Sequence, residues 1–515
     1  MSEPTTLLMT LRDLLDSRIV LFAVASAVYW VGLSYSRGET RRLVHIPTVG
    51  PSAPLLSYFG AYRLVADARS VIYTGISKYP NSIFKVPHVL RWLVVITDPK
   101  VIDEVRKLPD SILSSFEAAT ESIQTEFTLG KPIRDNPYHL SIVRVQLTRA
   151  IPQLVPALYD EIVASFNDLI PATDNWMSVK ILDTMMKVVA RASNRVFVGL
   201  PLCRDPEYTA LNVQFTLDVV KTSSILCLFP RPFRPFVNSL ISDIPKRVAV
   251  ALKHLAPVFA ARRKEREEKG DDYPAKPVDL ITWIMDLAKD KEEESDWDLT
   301  LRVLTINFAA IHTSSMTFTH AFFYLAAYPE YLKPLREEVE NAVRKYGWTK
   351  EGLDQMQHID SFIKESQRLN PLSIVLVPRV VLKDHVFSDG TMVPKGTTIG
   401  VATARAHLNG DRYEDPLQFD GFRYVKLKEQ CAGESEKRFD MVSSNIDALA
   451  FGLGRHACPG RFFATSELKT MFAHAVVTYD VKLEDMGVRP ADRWIATSCL
   501  PNLTAQVLFR KRADI

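Results

Sequence analysis

The sequence predicts a mainly α-helical fold with small β-sheets (α+β), and three observations predict it. Two segments, Asp296–Tyr328 and Asp354–Leu369, carry helical periodicity over several turns without an internal proline. The strand-like runs, by contrast, are short, scattered and rich in β-branched or aromatic residues. A composition of 47% hydrophobic and 24% charged residues is that of a globular chain with apolar material for a large core.

From the N-terminus, residues 1–18 precede an uncharged apolar run, Ile19–Tyr35, bounded by Arg18 and by Arg37, Arg41 and Arg42. A membrane span needs about 20 apolar residues, with roughly 17 as the lower limit, and Trp30 and Tyr35 suit an interface. We read residues 19–35 as a single transmembrane signal anchor, with 1–18 on the lumenal side. A cleaved signal peptide or a buried core helix fits less well, because no small-residue cleavage site follows and the arginines suit a cytosolic flank. Residues 36–54 are basic and proline-rich, which predicts a semi-rigid hinge, and the folded body is expected over 55–515.

Within the body, strands are expected at Ile83–Val86, Trp92–Ile96, Ile374–Val380, Val386–Phe387 and Val476–Lys482, and a helix over Pro137–Leu147. The charged stretches Arg262–Asp272 and Lys289–Asp296 read as solvated faces. Pro230–Phe236 alternates proline with Phe and Arg, which suits an amphipathic loop resting on lipid. A formal net charge of +3, with no aromatic-interleaved basic stripe, argues against nucleic acid as a partner. The five cysteines, Cys203, Cys227, Cys431, Cys458 and Cys499, are scattered and odd in number, which speaks against a disulfide framework and for a reducing, cytosol-facing location.

Chemistry concentrates in Phe451-Gly452-Leu453-Gly454-Arg455-His456-Ala457-Cys458-Pro459-Gly460. With glycine at about 7% of residues, three at set offsets from a given cysteine arise roughly once in three thousand trials, so coincidence is a poor account. Gly452 and Gly454 permit positive φ and tight turns, which let backbone N–H groups converge on the sulfur and stabilise a thiolate. Zinc is a poor rival, since His456 and Cys458 have no second pair at usable spacing. A thiolate on haem iron pushes electron density onto bound dioxygen. In that setting Phe451 lies against the ring or the sulfur, Gly460 keeps the next helix close, and His456 bonds a haem propionate.

The ten residues resemble the haem-binding signature of the cytochrome P450 family, the haem-thiolate monooxygenases. Further landmarks follow in the family's order. Glu365-Ser366-Gln367-Arg368 matches its E-x-x-R, and Arg423 of Phe419-Asp420-Gly421-Phe422-Arg423-Tyr424 stands in place of the arginine of P-E-R-F. The resemblance implies a Glu365, Arg368, Arg423 network that fixes the cysteine loop. Ala309-Ala310-Ile311-His312-Thr313-Ser314 aligns with the distal A/G-G-x-D/E-T-T/S stretch, but Ala310 replaces its glycine and His312 its acid. Thr313, with His312 and Ser314, is the expected proton-handling group. Arg379 is expected to pair with a propionate, and Arg144 takes the place of the arginine of W-x-x-x-R, although Leu140 stands where tryptophan belongs; His139 is a weaker candidate. Phe116, Phe127, Ala309, Ile374, Leu376 and Cys499 are the expected substrate contacts.

The resemblance implies one triangular domain with haem b (iron protoporphyrin IX) between the Thr313 helix and the Cys458 loop, the axial ligand and sole metal ligand being Cys458. It also implies O2 as co-substrate and, because no flavin or nicotinamide domain is visible, electrons from a separate NADPH-cytochrome P450 reductase. A lipophilic substrate of terpenoid or sterol type, membrane lipid as a further partner, and a single-pass endoplasmic reticulum location with a cytosolic body complete the expectation. Variants such as A-A-I-H-T-S resemble those of fungal members in secondary metabolism. Two alternatives stay open: a haem-thiolate isomerase, dehydratase or peroxygenase that needs no external electrons, and a membrane haem carrier or gas sensor.

Overall fold

The structure, a computed structural model, describes Gly38 and residues 40–513, apart from 54–55, 89–90, 272, 290–294, 432–433 and 486. The anchor expected at 19–35 lies outside the described residues; among those described, no helix is long and apolar enough to cross a membrane. Residues 43–49, part of the expected hinge, are docked on the body. Leu43 and Ile46 are buried, and backbone bonds from Lys85 N to Pro47 O (2.8 Å) and from Val49 N to Lys85 O (3.0 Å) tie the stretch to a strand.

The helices that frame the site are α1 (Ser57–Ala66), α2 (Pro99–Lys107), α3 (Ser115–Ser122), α4 (Thr148–Leu169), α5 (Ile181–Phe197), α6 (Pro206–Leu226), α7 (Ile244–Lys269), α8 (Asp296–Ala327), α9 (Gln357–Leu369) and α10 (Arg461–Thr478). The strands are β1 (Ile83–His88), β2 (Arg91–Ile96), β3 (Leu113–Ser114), β4 (Met177–Lys180), β5 (Val375–Val381), β6 (Thr398–Ala402), β7 (Tyr479–Lys482), β8 (Arg493–Ile495), β9 (Ser498–Leu500) and β10 (Gln506–Lys511), with a short hairpin of His385–Val386 and Met392–Val393. Five strands form one sheet in the order β1-β2-β6-β5-β3, where β2 and β6 run parallel and the other pairs antiparallel. A second sheet is β4-β10-β7, and β8 pairs with β9.

Helix α8 is the axis of the molecule: its 32 residues span about 48 Å. Ser295 caps it by accepting from Asp298 N at 3.2 Å, two acidic residues occupy its first turn, and it stops before Pro329. It packs on α5, α6, α7, α9 and α10, which accounts for burial on nearly all its faces. The helix expected from Asp354 starts at Gln357, because Met356 (φ −79°, ψ +74°) separates it from a short helix at Lys350–Gln355. The strand expected over Val476–Lys482 keeps only its second half; Val476–Thr478 close the last turn of α10, where Val476 is fully buried and tertiary packing overrides β propensity. The helix expected over Pro137–Leu147 is His139–Ile142 followed by a π-helical turn, Val143–Leu147, that runs into α4.

Candidate active site

The cysteine loop is bent by its glycines, as the sequence suggests. Gly452 and Gly454 hold φ of +80° and +67°, and a Cβ on Gly454 would meet Arg106 Cγ at 2.8 Å and Arg106 O at 3.0 Å. The second glycine therefore serves both a left-handed turn and a close approach to α2. Cys458 N donates to Phe451 O at 2.7 Å, closing the loop on itself. Burial pushes the Cys458 thiol up, while the N–H groups of Gly460 and Arg461 and the charge of Arg461 pull it down. Those N–H groups belong to the start of α10, where donors without intrahelical partners point outward. Gly460 itself has φ −89°, and a Cβ there would meet only Val143 at 3.5 Å, so the protein's own packing does not demand a glycine.

Beside the loop lies a set of cations, of which the buried Arg379 has no carboxylate within ion-pair distance among the described residues. Arg379 is 3% exposed, yet its Nε and Nη2 have no partner, and only Nη1 donates, to Pro378 O at 2.8 Å. Burial pushes its pKa down to about 10. His456 Nε2 stands 2.8 Å from Asp110 Oδ1 without hydrogen-bond geometry, and burial followed by the Arg379 charge lowers its pKa. Arg144 is exposed on the π-helical turn, and its charge also reaches His456. A buried guanidinium with two idle donors is costly unless an anion meets it. Arg379 thus fits a carboxylate of a haem, with His456 beside it but already facing Asp110, and the N–H groups on Cys458 fit a thiolate ligand.

Glu365, Arg368 and Arg423 form the expected network. Glu365 has no exposed surface; it accepts from Arg368 Nε and Nη2, each at 2.7 Å, from Arg423 Nε at 3.0 Å and from Asp420 N at 3.1 Å. The arginines spread outward to backbone carbonyls of His407, Pro416, Glu414 and Gln418. These bonds hold residues 407–423 rather than the cysteine loop directly. The link to the loop is His407, which sequence reasoning missed: its O accepts from Arg368, and its Nε2 accepts from Leu449 N at 3.0 Å. Burial, then the Arg368 charge, holds the His407 pKa down to about 3, so the ring stays neutral and able to accept.

On α8, the run of burial is interrupted at mid-length. Ala309 and Thr313 are exposed, and His312 and Met316 half-buried, at helical spacing that places them on one face. An accessible stripe in the middle of a core helix faces open space rather than packed side chains. Thr313 Oγ1 donates to Ala309 O at 2.8 Å, so turning its proton into the space requires side-chain rotation. His312 Nε2 has no partner, and burial lowers its pKa. Ser314 points elsewhere: it is buried and meets Glu467 of α10. Glu467, absent from the sequence-based set, is a fully buried acid that accepts from Ser193 Oγ at 2.6 Å. Burial pushes its pKa up to about 7, against the hydroxyls of Ser193 and Ser314. An acid within an apolar helix was the signal available for it.

Of the expected substrate contacts, Phe116, Phe127 and Leu376 are half-buried and Ala309 is exposed, whereas Ile374 is almost closed off. Cys499 is a correction. It has no accessible surface and is enclosed with His320 and Asp492, their nearest ligand-type atoms within 4.8 Å, so no substrate can touch it as the protein stands. That trio is no open cation site, since Arg489 Nη2 lies 3.0 Å from His320 Nδ1 and 2.8 Å from Asp492 Oδ1. In the 230–236 loop, Arg234 is buried rather than exposed, donating to Gln124 Oε1 (2.9 Å) and Phe229 O (3.0 Å), while Phe236 is exposed.

Residues 47–509 match the family model described as Cytochrome P450. The chain is 41% identical over 496 residues to cytochrome P450 monooxygenase 151 of Postia placenta, covering 96% of this chain and 98% of that one. It is 32% identical over 461 residues to ent-kaurene oxidase P450-4 of Gibberella fujikuroi, with 88% and 89% covered. Among solved structures it resembles the cytochrome P450DA heme domain, with a TM-score of 0.69 and 16% identity over 91% of this chain and 98% of that one.

Proposed function

The chain belongs to the cytochrome P450 family, and we propose that within it the protein oxidises a terpenoid or sterol-like intermediate of fungal secondary metabolism, with electrons from an NADPH-dependent reductase. As a monooxygenase it uses O2 and carries haem through a cysteine thiolate. Bound haem supplies dioxygen activation, which the thiolate promotes by donating electron density.

The observation that carries the proposal is the accessible stripe on α8. It offers one hydroxyl, one imidazole and otherwise Ala and Met surface, so a bound molecule meets few polar groups. Phe116, Phe127 and Leu376 add apolar walls and Ala309 leaves room, which suits a bulky hydrocarbon. The name of the Gibberella relative, an ent-kaurene oxidase, supports the terpenoid class. The N–H groups of Gly460 and Arg461 would favour a thiolate at Cys458 once iron is bound, against the burial that raises the thiol, and Arg379, His456 and Arg144 would receive the carboxylates, with Phe451 at the start of the loop. Thr313 holds a proton at Oγ1 for delivery into the space, with the neutral His312 imidazole next to it; Ser314 acts only through Glu467.

A membrane setting is part of the same reading. Leu228, Phe236 and Leu240 are exposed, as are Leu56, Phe59 and Tyr62 around α1, and together with the apolar run 19–35 they suit a body resting on the cytosolic face of the endoplasmic reticulum. The test is expression with a reductase, feeding of a terpene and sterol panel, and identification of products by mass spectrometry and NMR. Product that needs both NADPH and Cys458 is the expected result. Turnover without NADPH moves the reading to an isomerase, dehydratase or peroxygenase; no product at all, with a Soret band that fails to shift far to the red on carbon monoxide binding, overturns it.

A further inference from the structure

We propose that Val377 is a positioning residue that stores backbone strain in β5 in order to swing Arg379 into the site; the inference rests on the reading of Arg379 as the carboxylate-binding arginine. Val377 has φ +58°, and among the described residues it is the one β-branched side chain at positive φ, the others being Asn81, Gln124, Asp415 and Ala496. A β-branched residue there is a steric outlier, and the residue before a proline, here Pro378, prefers extended backbone. Such a conformation persists only where surroundings over-determine it.

Two sets of contacts supply that constraint. The Val377 side chain is 3% exposed and belongs to the core that contains Leu113, Val401, Leu449 and Leu453, the last lying between the two positive-φ glycines of the cysteine loop. Its backbone sits in a bulge: Leu376 pairs with Val401 and Arg379 with Ile399, so β5 advances three residues while β6 advances two. Pro378 has no N–H, so it brings no ladder donor to the bulge. Opposite the bulge, a Cβ on Gly400 would meet Val375 Cγ1 at 2.5 Å, so any side chain there would force Val375 to shift. A bulge changes which face the following side chain takes. The side chain that follows is Arg379, buried with two idle donors. The same valine thus joins the packing of the cysteine loop to the aim of the arginine.

The test compares Val377→Ala with Val377→Gly in the holoprotein. Both remove the isopropyl group, but only glycine is at ease at positive φ. Haem loss, followed by transfer to apomyoglobin, is expected to be several-fold faster from Val377→Gly than from Val377→Ala, because the freed backbone no longer aims the guanidinium. In an Arg379→Gln background that difference is expected to vanish, and Val377→Gly should unfold at higher urea than Val377→Ala, the reverse of the usual order. Arg379→Lys is the alternative background if the glutamine variant loads poorly. Equal haem loss from the two variants overturns the positioning role, and greater stability of the alanine variant overturns the strain. Haem loss unchanged by Arg379→Gln alone overturns the carboxylate reading of Arg379, and the positioning role with it.

Discussion

Replacing Glu365 by glutamine tests the buried network with almost no change of shape. Oε1 accepts three bonds, from Arg368 Nη2, Arg423 Nε and Asp420 N, whereas Oε2 accepts one, from Arg368 Nε at 2.7 Å. The amide will therefore place its oxygen at the Oε1 position and its NH2 at the Oε2 position, where it faces a donor. One charge-assisted bond is lost, worth about 1.5–3 kcal/mol. In addition, two guanidiniums, of which Arg368 is 2% exposed and Arg423 7%, lose their shared counter-charge. Breaking a buried pair by removing one partner costs about 3–5 kcal/mol, a range that already includes much of the lost bond. We expect about 3–5 kcal/mol of destabilisation, a large share of the stability of an ordinary domain. Urea unfolding followed by circular dichroism measures it, with haem content read in parallel. Arg423→Gln should cost less, since Arg368 still holds Glu365 through two bonds. A Glu365→Gln variant within about 1 kcal/mol of the parent would refute the argument that this acid neutralises the cluster.

Gly454→Ala should lower haem incorporation and destabilise the loop by about 1–3 kcal/mol, because it combines positive φ with a clash against Arg106; the haem-to-protein ratio and the circular dichroism spectrum report on site and body separately. Glu467 has a folded-state pKa raised from 4.5 to about 7, so the folded protein binds its proton more tightly than the unfolded chain between those values. Stability should therefore fall as pH rises through that window, by roughly 3 kcal/mol in total, and Glu467→Gln should flatten the slope in urea titrations from acid to neutral pH. Thr313→Val should reduce product formation by ~10²-fold while leaving haem content unchanged, with oxygen and NADPH consumption falling less than product.

Local features were legible because their causes are local. The glycines of 452–460 announce a bent loop before a helix, and the helical periodicity without internal proline from Asp296 onward announces α8. The hairpin β1–β2 was read within a residue or two at each end, since its β-branched runs are short and bounded. What escaped was set by distant partners. Nothing near Cys499 signals that Asp492 and His320 enclose it, because His320 comes from another element 179 residues away. His407 carries no motif, yet it joins the arginine network to Leu449. Ser314 was grouped with Thr313 through the alignment with the family's distal stretch, but one residue along a helix turns the side chain by about 100°, away from the stripe and onto Glu467. The 230–236 segment was read from its own residues as an amphipathic loop on lipid; Gln124, a helix N-cap more than a hundred residues earlier, draws Arg234 inside.

The cysteine loop is where these long-range contacts converge. From α2 comes the backbone approach of Arg106 to Gly454, and Arg455 Nη2 returns the contact by donating to Lys107 O at 3.1 Å and Leu108 O at 2.6 Å. From the arginine network comes His407, one bond from Leu449. From the sheet comes Val377, packed with Leu449 and Leu453. Each attachment uses a different interaction: backbone closeness at Gly454, a hydrogen bond that a neutral ring accepts from Leu449 N, and apolar packing around Leu449 and Leu453. The loop also carries bonds of its own, from Gly452 N to Leu449 O (2.8 Å), Ala457 N to Gly454 O (3.1 Å) and Cys458 N to Phe451 O (2.7 Å). The motif and its internal bonds thus specify the bend, while residues at 106, 377 and 407 tie that bend to the body.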